Sequence, residues 1–408
     1  MAETKVFEYA VRDAQGKVVK GRIEAQNQAA VANRLRTMGL APTSITEVQT
    51  TGLQREITIP GFGERVTLKN LAVLSRQMAT MISAGLSLIR TLGILADQTE
   101  SKPLAKAMAQ VRNDVEAGTS LSAAFEKQRS IFPPIMINII KAGEVGGFLE
   151  KAMLSVAENF EAEVKLRSKI KSAMTYPVVV LCIAVLAVIA MLLFIVPIFQ
   201  GIFESLGGEL PAATQFLVWL SSVMKFALPL LVVAVVAFSV WWRKHKNDDA
   251  VRQKVDPWKI KAPIFGVVMQ KIAIARFSRN FGTMLGAGVP LLQALDIVGK
   301  TAGNWVIEAA VHDIQENVRT GQPLAAPLAR HEVFPPMVVQ MITVGEESGA
   351  LEIMLNKVSD FYDQEVEAAT EQLTSMIEPI MIAFLGVVVG GMIVALYLPI
   401  FKIFDYVQ

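Results

Sequence analysis

The chain is short of cysteine, histidine and net charge, and each shortage removes a class of function. Its single cysteine, Cys182, excludes an intrachain disulfide and a cysteine-based metal site. The three histidines (His245, His312 and His331) are widely spaced, with no His-Glu-x-x-His pair to hold a metal. A formal charge of +2 over 408 residues gives no electrostatic footprint for nucleic acid. No Gly-x-Ser-x-Gly elbow is present for a serine nucleophile. Gly299-Lys300-Thr301 imitates a phosphate-cradling loop, but the glycine required five residues earlier is Ala294, and no strand precedes it. The reading is therefore of a non-enzyme with no catalytic residue, cofactor or metal. The start, MAETKVFEYA, has no apolar run, so no signal peptide is expected and the N-terminus should stay in the cytosol.

What the chain does have is long apolar runs. Val178–Val196 is nineteen residues without a charge, glycine or proline. As a helix it measures about 28 Å, close to a bilayer's hydrocarbon core. Lys165, Arg167, Lys169 and Lys171 precede it and place that end in the cytoplasm. A second run, Phe226–Trp242, extends back to Phe216 across Lys225 and is followed by Arg243, Lys244 and Lys246. A third is Ile380–Leu398. Acidic residues crowd its approach, so the positive-inside rule alone does not orient it.

The remaining segments read as soluble domains. Residues 1–50 suggest a small α/β docking unit: a hairpin of Val6–Val11 and Val18–Ala25, a helix from Asn27 to about Met38, and a closing strand Thr43–Val48. Residues 51–66 are a linker. Residues 67–171 show helices of ordinary length punctuated by Gly85, Gly118 and Gly143, which predicts a six-helix bundle. The order expected after it is a first span to about Ser205, an outer loop 206–215, a second span 216–242, a second bundle 243–375, a third span 376–402 and an outer tail 403–408. The fold class is mainly α: a polytopic membrane protein with three transmembrane helices, two duplicated cytosolic six-helix bundles and the N-terminal unit.

The duplication is explicit. Met81-Ile-Ser-Ala-Gly85 matches Met284-Leu-Gly-Ala-Gly288 at an offset of 284 − 81 = 203. Phe132-Pro-Pro134 matches Phe334-Pro-Pro336 at 334 − 132 = 202, and Gly143-Glu-Val-Gly-Gly147 matches Gly345-Glu-Glu-Ser-Gly349 at the same offset. Leu149-Glu150 and Pro197-Ile-Phe199 pair with Leu351-Glu352 and Pro399-Ile-Phe401. Each copy is a bundle followed by an outward-running span. The second span has no counterpart and returns the chain to the inside.

Two features are candidate contact sites. One is the repeated turn: Gly143, Glu144, Gly147 and Glu150 in the first copy, and Gly345, Glu346, Gly349 and Glu352 in the second. Glycines end helices routinely, but the glutamate recurs at the same place in both. The other is the Gly386/Gly390 pair in the third span, whose spacing permits close helix packing within the chain or between subunits.

Phe-Pro-Pro, then Gly-Glu-x-x-Gly, then Leu-Glu in each copy, with the Lys-Val-Phe-Glu-Tyr start and Gly-Lys-Val-Val-Lys-Gly at Gly16–Gly21, resembles the inner-membrane platform proteins of type IV pilus and type II secretion machines. The resemblance implies a scaffold coupling a cytosolic hexameric assembly ATPase to pilin or pseudopilin subunits. It also implies a homo-oligomer among other inner-membrane components and lipid, with both bundles cytoplasmic and the C-terminus outside. The rival from another class is a small oligomeric transporter or channel built on a parallel repeat. The lack of an ionisable pair in the spans counts against it.

Overall fold

The structure is a computed structural model describing residues 5–12, 18–25, 30–32, 42–47, 65–205, 210–246, 248–263 and 265–406. It divides into two units, Met1–Glu64 and Arg65–Gln408. In the first, β1 (Lys5–Arg12), β2 (Val18–Ala25) and β3 (Pro42–Glu47) form an antiparallel sheet in the order β2-β1-β3. The β1–β2 register pairs Phe7 with Ile23, and the β1–β3 ladder shifts between Ala10 and Val11. Most of the helix expected from Asn27 to Met38 lies outside the described residues. So do the turn at Ala14–Gly16, most of the linker, Gly207–Glu209 and the last two residues.

The second unit opens with the first copy: α1 (Leu68–Ser83), α2 (Leu88–Gln98), α3 (Lys102–Glu116), α4 (Leu121–Lys127), α5 (Pro134–Gly146) and α6 (Leu149–Ala190). Local chemistry sets these boundaries. Thr67 and Asn70 form a reciprocal capping box at the start of α1. Gly85 and Gly118, at φ +81° and +90°, turn the chain after α1 and α3. In the Phe-Pro-Pro motif, Phe132 is fully buried against Phe125, with ring centroids 4.5 Å apart. Pro133 is the N-cap of α5 and Pro134 its first residue, where a missing N–H costs nothing.

A π-helical turn, Met191–Ile195, joins α6 to α7 (Val196–Ser205). Pro197 follows directly: its ring clashes with the carbonyl four residues back, and the wider turn relieves that clash. Then come α8 (Ala212–His245) and α9 (Asp249–Lys261). The second copy is α10 (Phe265–Gly286), α11 (Leu291–Thr301), α12 (Trp305–Arg319), α13 (Ala325–Leu328), α14 (Pro336–Ser348) and α15 (Leu351–Tyr406). The six-helix plan thus recurs, while α9 has no counterpart among the described residues of the first copy. It is tied down by Asp256, which accepts from the Trp305 N–H at 3.0 Å, and by Arg252, 2.5 Å from Glu308.

Among the described residues, three helical stretches are long and apolar enough to cross a membrane: Leu149–Ser205, Ala212–His245 and Leu351–Pro399. The first and third begin inside the bundles, so bundle and span are one continuous rod. At ~1.5 Å per residue the 56-residue α15 is about 84 Å long.

The two copies do not fold as separate bundles. One apolar core runs through both, from Leu71 and Met108 through Phe160 to Phe277, Phe281 and Val358. Helix α6 packs against α10 and α15, and α5 against α11.

Candidate functional site

The repeated turn is built the same way in both copies. Gly147 (φ +74°) and Gly349 (φ +68°) end α5 and α14 in the left-handed conformation. The preceding Gly143 and Gly345 let each helix hairpin close. A Cβ on Gly143 would lie 2.4 Å from the Ala152 Cβ, and one on Gly345 would lie 2.9 Å from the Leu351 Cα. These four glycines are therefore requirements of backbone geometry.

Glu144 and Glu346 reach back across the bundle. Glu144 accepts from the N–H of Leu121 at 2.6 Å, the N–H of Ser122 at 3.0 Å and the Ser122 hydroxyl at 2.6 Å. Glu346 accepts from the N–H of Leu324 at 2.7 Å and of Ala325 at 3.1 Å. Each carboxylate thus satisfies the orphan donors at the start of the short helix α4 or α13, at the positive end of its dipole. The repeat of the glutamate has this structural cause. What faces outward beside it differs: Val145, 83% exposed, in the first copy, and Glu347 in the second. Glu346 and Glu347 also line a surface groove of about 850 Å³ with Leu291, Pro323 and Val339. Glu150 and its counterpart Glu352 are both exposed on the first turns of α6 and α15, and Glu352 also lies against Gly286, where a Cβ would meet its Oε1 at 2.3 Å.

A second constellation joins the copies and has no local signature. Glu163 of α6, 12% exposed, receives Arg276 at 2.7 Å and Arg279 at 3.5 Å from α10, beside its own neighbour Arg167 at 2.7 Å. Asn159 donates to Asn280 at 3.1 Å and to Thr283 at 3.2 Å. Lys169 pairs with Glu367, and Leu166 packs among Val268, Ile272, Val366 and Leu373. Arg279 also pairs with Asp363, the repeat equivalent of the Arg76–Glu161 pair at 2.6 Å. The Arg76 guanidinium holds the Glu161 carboxyl below its usual range. Burial pushes Asp363 the other way, above its usual range, despite Arg279 beside it.

Within the spans, Thr214 donates its hydroxyl to the Ala395 carbonyl at 2.5 Å. That carbonyl lies four residues before Pro399 and therefore lacks its helical donor. A polar residue at the start of the second span thus repairs the proline gap in the third. Between the spans lies a groove of about 350 Å³ lined only by apolar side chains, among them Leu181, Val188, Leu228, Phe384 and Val388. It offers an ion no ligand. A Cβ on Gly386 or Gly390 would meet nothing within 4 Å. Among the described residues, neither glycine has a close neighbour on another element.

A family model described as type II secretion system (T2SS), protein F, matches residues 74–197 and again 277–399. A second, the N-terminal domain of the same protein, matches residues 1–46. The chain is 44% identical over 400 residues to a type IV pilus assembly protein PilC of Thermus thermophilus, covering 98% of each. It is 41% identical over 408 residues to PilC of Myxococcus xanthus, covering 99% of this chain and 96% of that one. To a type II secretion system protein F of Xanthomonas campestris it is 31% identical over 400 residues, covering 98% of each.

Proposed function

The chain belongs to the type II secretion system protein F family, and from that premise we propose how it serves as a membrane platform of a pilus or secretion machine. The observation that carries the reading is the twice-matched plan of bundle and span, running the full length of relatives named for both machines. The groups the chain offers are suited to holding other proteins, and we read it as non-catalytic. Its sites are surfaces: bundles on one side of the inner membrane and an apolar groove within it.

The coupling we infer is mechanical. A hexameric ATPase in the cytoplasm engages the bundles, which share one core and so move as a body. Because α6 and α15 each run as one helix from that body into the membrane, across Pro177 and Pro379, displacement of the bundles is carried into the spans. The apolar groove between the spans suits the apolar helix of a pilin or pseudopilin. In this reading the N-terminus and both bundles are cytoplasmic and the C-terminus is outside. Gly386 and Gly390, having no close neighbour among the described residues of other elements, face lipid or another subunit.

The motor-facing surface includes the two turns, with Val145 as the exposed apolar point on the first. Reversing Glu144 would also uncap α4, so it cannot separate contact from folding. Val145→Glu leaves the cap intact. The expected result is loss of fibre or secretion output and of ATPase co-purification at unchanged protein level. Normal output and co-purification would move the motor contact elsewhere.

A further inference from the structure

The contact between the copies is one-sided. Helix α6 of the first copy lies on the α10–α15 face of the second, through Asn159, Glu163, Leu166 and Lys169. The same face in the first copy is the groove between α1 and α6, by the repeat offsets of 203 and 202. No helix fills it. It is an open groove of about 550 Å³ lined by Lys69, Val73, Arg76, Val164, Lys165 and Ser168 among others. These are the repeat equivalents of Ile272, Arg276, Arg279, Val366, Glu367 and Thr370. The matching ridge in the second copy, on α15, is open as well: Phe361 is 45% exposed, and Gln364, Ala368, Glu371 and Gln372 are exposed. A contact that uses two different faces leaves one of each unused, and a second molecule can join them.

We propose that the α1–α6 groove receives the α15 ridge of a second copy of this chain, repeating head to tail between molecules the contact made inside each one. Charge supports this occupant. Inside the chain, Lys169 on the ridge meets Glu367 on the groove. The equivalent positions are Glu371 on the ridge (169 + 202) and Lys165 on the groove (367 − 202). Both signs are inverted, so the pair is again opposite. Lys165 and Glu371 are both exposed, and neither has an ion-pair partner among the described residues. Glu365, equivalent to Glu163, would face Arg76, equivalent to Arg279. Phe361 would lie over Val73 and Gln77, replacing the Asn159–Asn280 bond. Val73 is itself 49% exposed. The ridge is acidic and the groove basic, which favours the pairing and fixes its direction.

The test uses the full-length protein in lipid nanodiscs with Cys182→Ala as background. Two differently tagged chains are co-expressed, one with Gln77→Cys and one with Phe361→Cys. The expected result is a disulfide-linked dimer of the two tags on oxidation, and none when either variant is expressed alone. Lys165→Glu or Glu371→Lys alone should weaken self-association about tenfold, and the double variant should restore it. A Gln77→Cys homodimer, which means a two-fold face, would overturn the proposal. So would self-association indifferent to both charge changes. If Lys165→Glu instead abolishes binding to phosphatidylglycerol vesicles while self-association persists, the groove is a lipid site and the proposal fails.

Discussion

The first and second copies share a plan and differ in their surroundings, and the difference separates what the fold needs from what its contacts need. Both keep the buried phenylalanine before Pro-Pro, the left-handed glycine after α5 or α14, and the glutamate that caps the short helix. These elements face inward, and two copies of one fold have the same use for them. The equivalent pairs Arg76–Glu161 and Arg279–Asp363 have diverged. The first stands at the rim of an open groove. The second lies under α6, where Arg279 is only 8% exposed and shares Glu163. Position in the assembled chain, more than sequence, gives the same pair two roles.

The largest effect should come from removing Glu163, the carboxylate that holds two arginines of the other copy. Glu163→Ala leaves Arg276 without its carboxylate and Arg279 with Asp363 alone in a largely buried interface, a change that costs about 3 kcal/mol. Its equivalent Glu365 holds only Lys271, at 2.7 Å on a wetter surface. Glu365→Ala should cost under about 1 kcal/mol. Denaturation midpoints of the two purified variants check the contrast, and equal costs would remove the claimed asymmetry.

A smaller difference is expected at the caps. Glu144→Ala strands two backbone donors and a hydroxyl, and Glu346→Ala strands two backbone donors. Both should lower stability by about 1–3 kcal/mol, with Glu144→Ala the worse. If both changes are neutral, the glutamates are not caps.

The smallest effect is a difference of sign. Glu161 has a lowered pKa, so its contribution is present above the ordinary carboxylate range and lost as pH falls through the folded value. Asp363 has a raised pKa, so its contribution is present in acid and lost as pH rises through the folded value. Thermal unfolding from pH 7 down to pH 4 should therefore show the cost of Glu161→Gln shrinking and that of Asp363→Asn growing. Parallel trends would mean the two sites are equally solvated.

Much of this was legible in the sequence. The three spans, the repeat and its register, and the helix-ending glycines all leave local or periodic signals. The glutamates at 144 and 346 stood out by recurrence, but their task did not, because the donors they cap lie 22 and 23 residues away in the first copy. Glu163 could not be read at all. Arg167, four residues on, is an ordinary i,i+4 partner, while Arg276 and Arg279 of the other copy are more than a hundred residues distant. Thr214 was equally silent, although Pro399 announces a carbonyl in need of a donor. The extra helix α9 falls within residues 243–375, expected as the second bundle, and no repeat motif marks it off. Gly386 and Gly390 stand out as small residues, and the structure adds that no described residue occupies the space they leave.

The central claim is that the two copies form one interlocked body that moves as a unit. Hydrogen exchange of the full-length protein in nanodiscs tests it most directly, comparing wild type with Glu163→Ala. In the wild type, α1 and α6 of the first copy and α10 of the second should be protected to the same degree. The substitution should lower protection in all three together. Loss confined to the first copy, with α10 unchanged, would show two independent bundles and contradict the account.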